Sequence, residues 1–64
     1  MNKYHVVGDY GPLGDMSIAH NYLASSPLNA KTMFIAKIKR EYGDDMWGRI
    51  GERNISVFEG WRRN

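Results

Sequence analysis

The residues with chemistry to offer are two histidines, seven carboxylates, four serines and a group of cations gathered in the second half of the chain. If His5 and His20 faced each other across a hairpin centred near Pro12, they could close on one metal ion together with Asp9, an imidazole and carboxylate set that suits zinc. The plainer reading is two ordinary histidines. Asp44-Asp45 could hold a hard cation, but adjacent acids just after a helix are more often a turn or a cap. Ser17, Ser25, Ser26 and Ser56 sit in Met-Ser-Ile, Ala-Ser-Ser-Pro and Ile-Ser-Val contexts, none resembling a nucleophile elbow. The glycine-containing turn Gly8 to Gly14 lacks the lysine and the following helix start of a phosphate-cradling loop. A chain this small rarely encloses the dry pocket that general acid–base chemistry needs. No metal, no cofactor and no enzymatic activity are expected.

Binding chemistry carries more weight. Lys37, Lys39 and Arg40 are expected on the solvent side of a helix, and Arg62 and Arg63 follow Trp61. Cations of this kind neutralise phosphates, and Tyr4, Tyr10 or Trp61 could stack on bases, so a small nucleic-acid-binding protein is one reading. Against it, Glu41, Asp44, Asp45, Glu52 and Glu59 interleave with the basic residues. The formal net charge is only +2, carried entirely by residues 33–64, where seven basic residues stand against five acidic ones. A nucleic-acid domain more often shows a denser basic stripe. The other reading is protein binding, self-association included. Met33 and Ala36 fall outside the apolar arc of the helix, and Met16, Met46, Trp47 and Trp61 are large surfaces for a small chain to hide. Exposed Trp, Met and Arg are enriched at interfaces. The candidate contact residues are therefore Met33, Lys37, Lys39, Arg40, Trp61, Arg62 and Arg63.

These residues must be positioned by a small number of elements. Ser25 to Gly43 carries full helix punctuation: Ser26 as N-cap, Pro27 at the first helical position, Gly43 as the left-handed stop, and Lys37, Lys39 and Arg40 near the negative end of the dipole. At about 100° per residue, Leu28, Ala30, Phe34, Ile35, Ile38 and Tyr42 share one arc, and Asn29, Thr32, Lys37, Lys39 and Arg40 the other. Tyr4 to Tyr10 reads as a strand and Gly11 to Asp15 as a turn. Met16 to Ala24 is read as a second strand, making a hairpin with the first, in preference to a short helix capped by Asp15. Asp44 to Ile50 is a helical turn or a brief strand, Gly51 to Asn54 a polar turn, and Asn54 to Glu59 a strand. Gly60 to Asn64 is a tail that frays unless Trp61 docks.

The expected fold is thus a single α+β domain over residues 1–64, two layers deep, with an antiparallel sheet of three to four short strands and one main helix packed across it. Its expected core is Val6, Val7, Ile18, Phe34, Ile38, Tyr42, Trp47, Ile55 and Val57. A 64-residue chain buries only about 60% of its unfolded surface, so the core is small and stability modest. The absence of cysteine removes disulfides and thiolate zinc sites and fits a reducing cytoplasm. No apolar run suits a signal peptide or a membrane span, so a cytoplasmic protein with no membrane partner is expected.

The layout also resembles a known kind of protein. Tyr-Leu-Ala-Ser-Ser-Pro-Leu-Asn-Ala-Lys (residues 22–31) enters the helix, followed by Glu-Tyr-Gly (41–43), Met-Trp (46–47) and Asn-Ile-Ser-Val-Phe-Glu-Gly (54–60). This looks like small phage-encoded α+β accessory proteins, in which a strand ends in small residues, a helix starts with a spaced alanine and a last strand closes the sheet. The resemblance is one of plan, and it carries no functional residue across. It implies a non-catalytic protein that binds and modulates or inhibits a host protein or defence complex in the bacterial cytoplasm.

Overall fold

The computed structural model describes residues 1–62. Strand β1 (Asn2–Tyr10) pairs antiparallel with β2 (Met16–Ala24) on one side and with β3 (Ile55–Glu59) on the other, giving a three-stranded sheet in the order β2-β1-β3. Between β2 and β3 the chain runs through helix α1 (Pro27–Glu41), helix α2 (Asp44–Ile50) and a 3-10 turn over Glu52–Asn54. The α+β architecture expected from the sequence is therefore present, with three strands, a second helix beside the main one, and Met16 to Ala24 extended.

The hairpin register sets which side chains meet. Tyr10 pairs with Met16, so the turn between them is Gly11 to Asp15, closed by the Gly14 N–H donating to the Gly11 carbonyl at 3.2 Å. Counting back by alternation, Tyr4, Val6 and Gly8 of β1, Ile18, His20, Tyr22 and Ala24 of β2, and Ile55 and Val57 of β3 face the helices. His5, Val7, Asn21, Leu23, Ser56 and Phe58 face the other way. His5 pairs with Asn21 and His20 with Val6, so the two histidines stand on opposite faces of the sheet. The joint ligation weighed from the sequence is ruled out by this one-residue offset.

Helix α1 begins and ends as its punctuation requires. Ser26 is extended, and its Oγ accepts the Asn29 N–H at 3.0 Å, with Pro27 next in the chain. At the other end the Tyr42 and Gly43 N–H groups both donate to the Ile38 carbonyl, at 2.9 and 3.1 Å. Gly43 has φ +86°, a left-handed conformation that a side chain would strain, and its own carbonyl accepts the Trp47 N–H that opens α2. One glycine thus ends the first helix and starts the second.

The core is Tyr4, Val6, Ala24, Ala30, Phe34, Ile38 and Ile50, with Ile18, Tyr22, Met46, Trp47, Ile55 and Val57 packed around it. Two of the expected core residues, Tyr42 and Val7, lie outside it, and Leu28 of the helix's apolar arc is not covered. Tyr42 is exposed, because α1 gives way to the Gly43 turn where Tyr42 would have to meet the sheet. Leu28, on the apolar arc but in the first turn of α1, is 72% exposed. Val7 sits on the outer face and is only partly buried.

Candidate interaction face

The sheet has one face under the helices and one without helices, and residues 60–62 lie across the second. After β3, Gly60 takes φ +83° and its N–H donates to the Lys3 carbonyl at 2.8 Å, which turns the backbone over β1. Trp61 then reaches β2, its indole N–H donating to the Tyr22 carbonyl at 2.9 Å. The next residue is held by Asn21. The Asn21 amide nitrogen donates to the Arg62 carbonyl at 2.9 Å, and its oxygen accepts the Arg62 N–H at 3.2 Å. That oxygen also lies 2.7 Å from His5 Nδ1, which must therefore carry the proton. Beneath this strap His5 is only 6% exposed. The tail expected to fray unless Trp61 docked is a docked tail through Arg62.

Cations cover the aromatic rings of this face. Lys3 Nζ stands 4.7 Å from the centre of the Trp61 ring, and the Arg62 guanidinium carbon 4.2 Å from that of Phe58. Even so, Leu23 is 48%, Trp61 49% and Phe58 37% exposed. Three large apolar side chains thus stand on one face, rimmed by two cations.

The other candidate residues lie on α1, on the far side of the molecule. Arg40 and Lys39 are exposed and Met33 just so. Lys37 pairs with Glu41 at 2.6 Å and Arg40 approaches the same carboxylate at 3.6 Å, while Lys39 lies 5.3 Å above the Trp47 ring. The Lys37 hydrogen bond, more than any other influence, holds the Glu41 carboxyl below its usual range. The charge expected to act on a partner is therefore partly spent within the helix. The sequence-derived residues divide into two sets, Met33, Lys37, Lys39 and Arg40 on one side and Trp61 and Arg62 on the other. Arg63 lies outside the described residues.

Between α1 and β2 is a second polar cluster. His20 Nε2 and the Tyr22 hydroxyl are both buried without a hydrogen-bond partner among the described residues. Burial lowers the His20 pKa, helped by Lys37 and opposed by Glu41. Burial, with Glu41 adding to it, pushes Tyr22 up to about 12. At the hairpin end an open groove of about 420 Å³ is lined by Tyr10, Gly11, Pro12, Met16 and Arg49, one phenol and one cation on apolar walls. Neither place sets a nucleophile against a base.

Lys3, Asn21, Leu23 and Phe58 escaped the sequence reading, and His5 was weighed there only as a metal ligand. The signal for them was weak, since Val7 is the one apolar residue among Lys3, His5, Val7 and Asp9 on the outer side of β1. Comparison with family models, curated proteins and solved structures finds no match.

Proposed function

We propose that the chain is a non-catalytic protein-binding module that engages its partner through the outer face of the sheet. The observation that carries this reading is the convergence of Leu23, Phe58 and Trp61, all exposed, within a rim of Lys3 and Arg62. Aromatic residues and arginine in one patch are what binding hot spots are made of. The phage-like plan of the sequence supplies the setting: a bacterial cytoplasm, with a host protein or defence complex as the partner that is modulated or inhibited. Nucleic acid is the second reading. It is less well supported because the helix cations and the tail cations lie on opposite sides, and because Lys3 and Arg62 occupy the ring faces on which bases would stack.

The test is capture from bacterial lysate with and without nuclease, followed by titration of the retained protein against variants. Phe58→Ser and Leu23→Ser should weaken its binding at least tenfold, with the fold intact by circular dichroism. Lys37→Glu with Arg40→Glu should leave it unchanged. The reverse pattern moves the site to the helix. Retention that disappears with nuclease, and affinity that falls steeply with salt, would replace protein by nucleic acid.

A further inference from the structure

The contacts of the tail itself say what kind of ligand the outer face is built to hold. Asn21 satisfies both main-chain groups of Arg62, donating to its carbonyl and accepting from its N–H. A neighbouring strand would satisfy an extended residue in the same way, and such a clamp is indifferent to side-chain identity. The Arg62 N–H and carbonyl together fix which way the Asn21 amide points, and buried His5, 2.7 Å from the Asn21 oxygen, adds a third hydrogen bond to it. Side chains are read at two adjoining stations. The Tyr22 carbonyl, with Lys3 above the ring, takes an indole, and the Phe58 ring takes a guanidinium. The tether to β3 is a single residue, Gly60, whose φ of +83° suits glycine. Trp61 is half exposed in its docked place, so the hold is shallow.

We infer that the outer face is a recognition groove for an extended segment of a partner protein, one presenting an indole followed by a cation, and that residues 60–62 occupy the groove in cis as a stand-in. This rests on the protein-binding reading above and names the partner's chemistry. A tether this short gives the tail a local concentration in the millimolar range. Only a partner segment with further contacts to Leu23 displaces it, so the tail sets a threshold for binding.

The probe is the acetylated and amidated tetrapeptide Glu-Gly-Trp-Arg, the sequence of residues 59–62, titrated into the full-length chain and followed by amide chemical shifts. Trp61→Ala empties the indole station and leaves the tail held by Arg62 alone, and this variant should bind the peptide at least tenfold more tightly than the wild-type chain, with shifts at Lys3, Asn21 and Leu23. Adding Asn21→Ala should weaken binding at least tenfold, and replacing the peptide's Trp by Ala should abolish it. If Trp61→Ala fails to fold, Arg62→Asp serves the same comparison, since that side chain is exposed. Equal binding by wild type and tail variant, or indifference to Asn21→Ala, overturns the groove. So does a dimer formed by exchange of tails, which would make a second copy the occupant. Peptide binding lost while a captured partner still depends on Phe58 and Leu23 refutes the groove alone. Peptide binding intact with a partner indifferent to both residues refutes the proposed function alone.

Discussion

Gly8 lies inside the middle strand, two residues from its end, where the usual strand preference argues for almost any other residue. Glycine there costs about 0.5–1 kcal/mol relative to alanine through backbone entropy, so propensity alone predicts that Gly8→Ala stabilises. The structure predicts the opposite. An alanine Cβ would stand 3.0 Å from Phe34 Cε2, 3.1 Å from Phe34 Cζ and 3.1 Å from Ile50 Cγ2. Favourable carbon contacts lie at about 3.5–4.0 Å, and both neighbours are fully buried, so neither has solvent to move into. Overpacking of this kind costs about 1–3 kcal/mol. Setting the entropic gain against it leaves a net loss of about 1 kcal/mol, at most about 2.5. For a 64-residue domain with about 3–10 kcal/mol in total, that loss is readily measured. In urea, with a slope of about 1 kcal/mol per molar, the midpoint should drop by about 1 M. Gly8→Val should drop further. Trimming the obstacle supplies a second check: Phe34→Leu should cost less in the Gly8→Ala background than alone, with a coupling of about 0.5 kcal/mol or more. An unchanged or higher midpoint for Gly8→Ala, or strict additivity in the double variant, would refute the packing argument.

Four further outcomes are expected. His20 has a lowered pKa in the folded chain and 6.5 as its ordinary value, so as pH falls below 6.5 the unfolded chain takes up the proton first. Stability should therefore decline on acidification from that point and level off below the folded pKa; denaturation midpoints at pH 7.5 and 5.5 should differ in the wild type and less in His20→Gln. The Tyr22 phenol, pushed up to about 12, should give a late step in an ultraviolet titration, and that step should vanish in Tyr22→Phe. Since its hydroxyl is buried without a partner among the described residues, that same variant should be neutral or more stable by up to about 1 kcal/mol in thermal unfolding. Ser26→Ala, which removes the acceptor for the Asn29 N–H, should cost about 1 kcal/mol by denaturant titration.

The elements whose signals are local could be read from the residues in sequence. Ser26, Pro27 and Gly43 bound α1 because capping is decided within a turn of the chain, and the Gly11 to Asp15 turn needs only its own residues. What could not be read was anything that depends on register. Whether His5 and His20 met, and which of them would be covered, turned on whether Tyr10 paired with Met16 or with a neighbour, and a shift of one residue exchanges the two faces of the strand. The helix arc named Phe34 and Ile38 but also Tyr42 and Leu28, because periodicity says which way a side chain points and not how far the surface beneath it extends. The candidate site shows the same division. Trp61 and Arg62 could be singled out by type, whereas their partners Lys3, His5, Asn21 and Phe58 come from three strands and share no spacing. Their convergence follows from β1 being the middle strand. Its neighbours β2 and β3 bring Asn21 and Phe58 beside Lys3 and His5 on the face away from the helices, and the Gly60–Arg62 tail lies on that face.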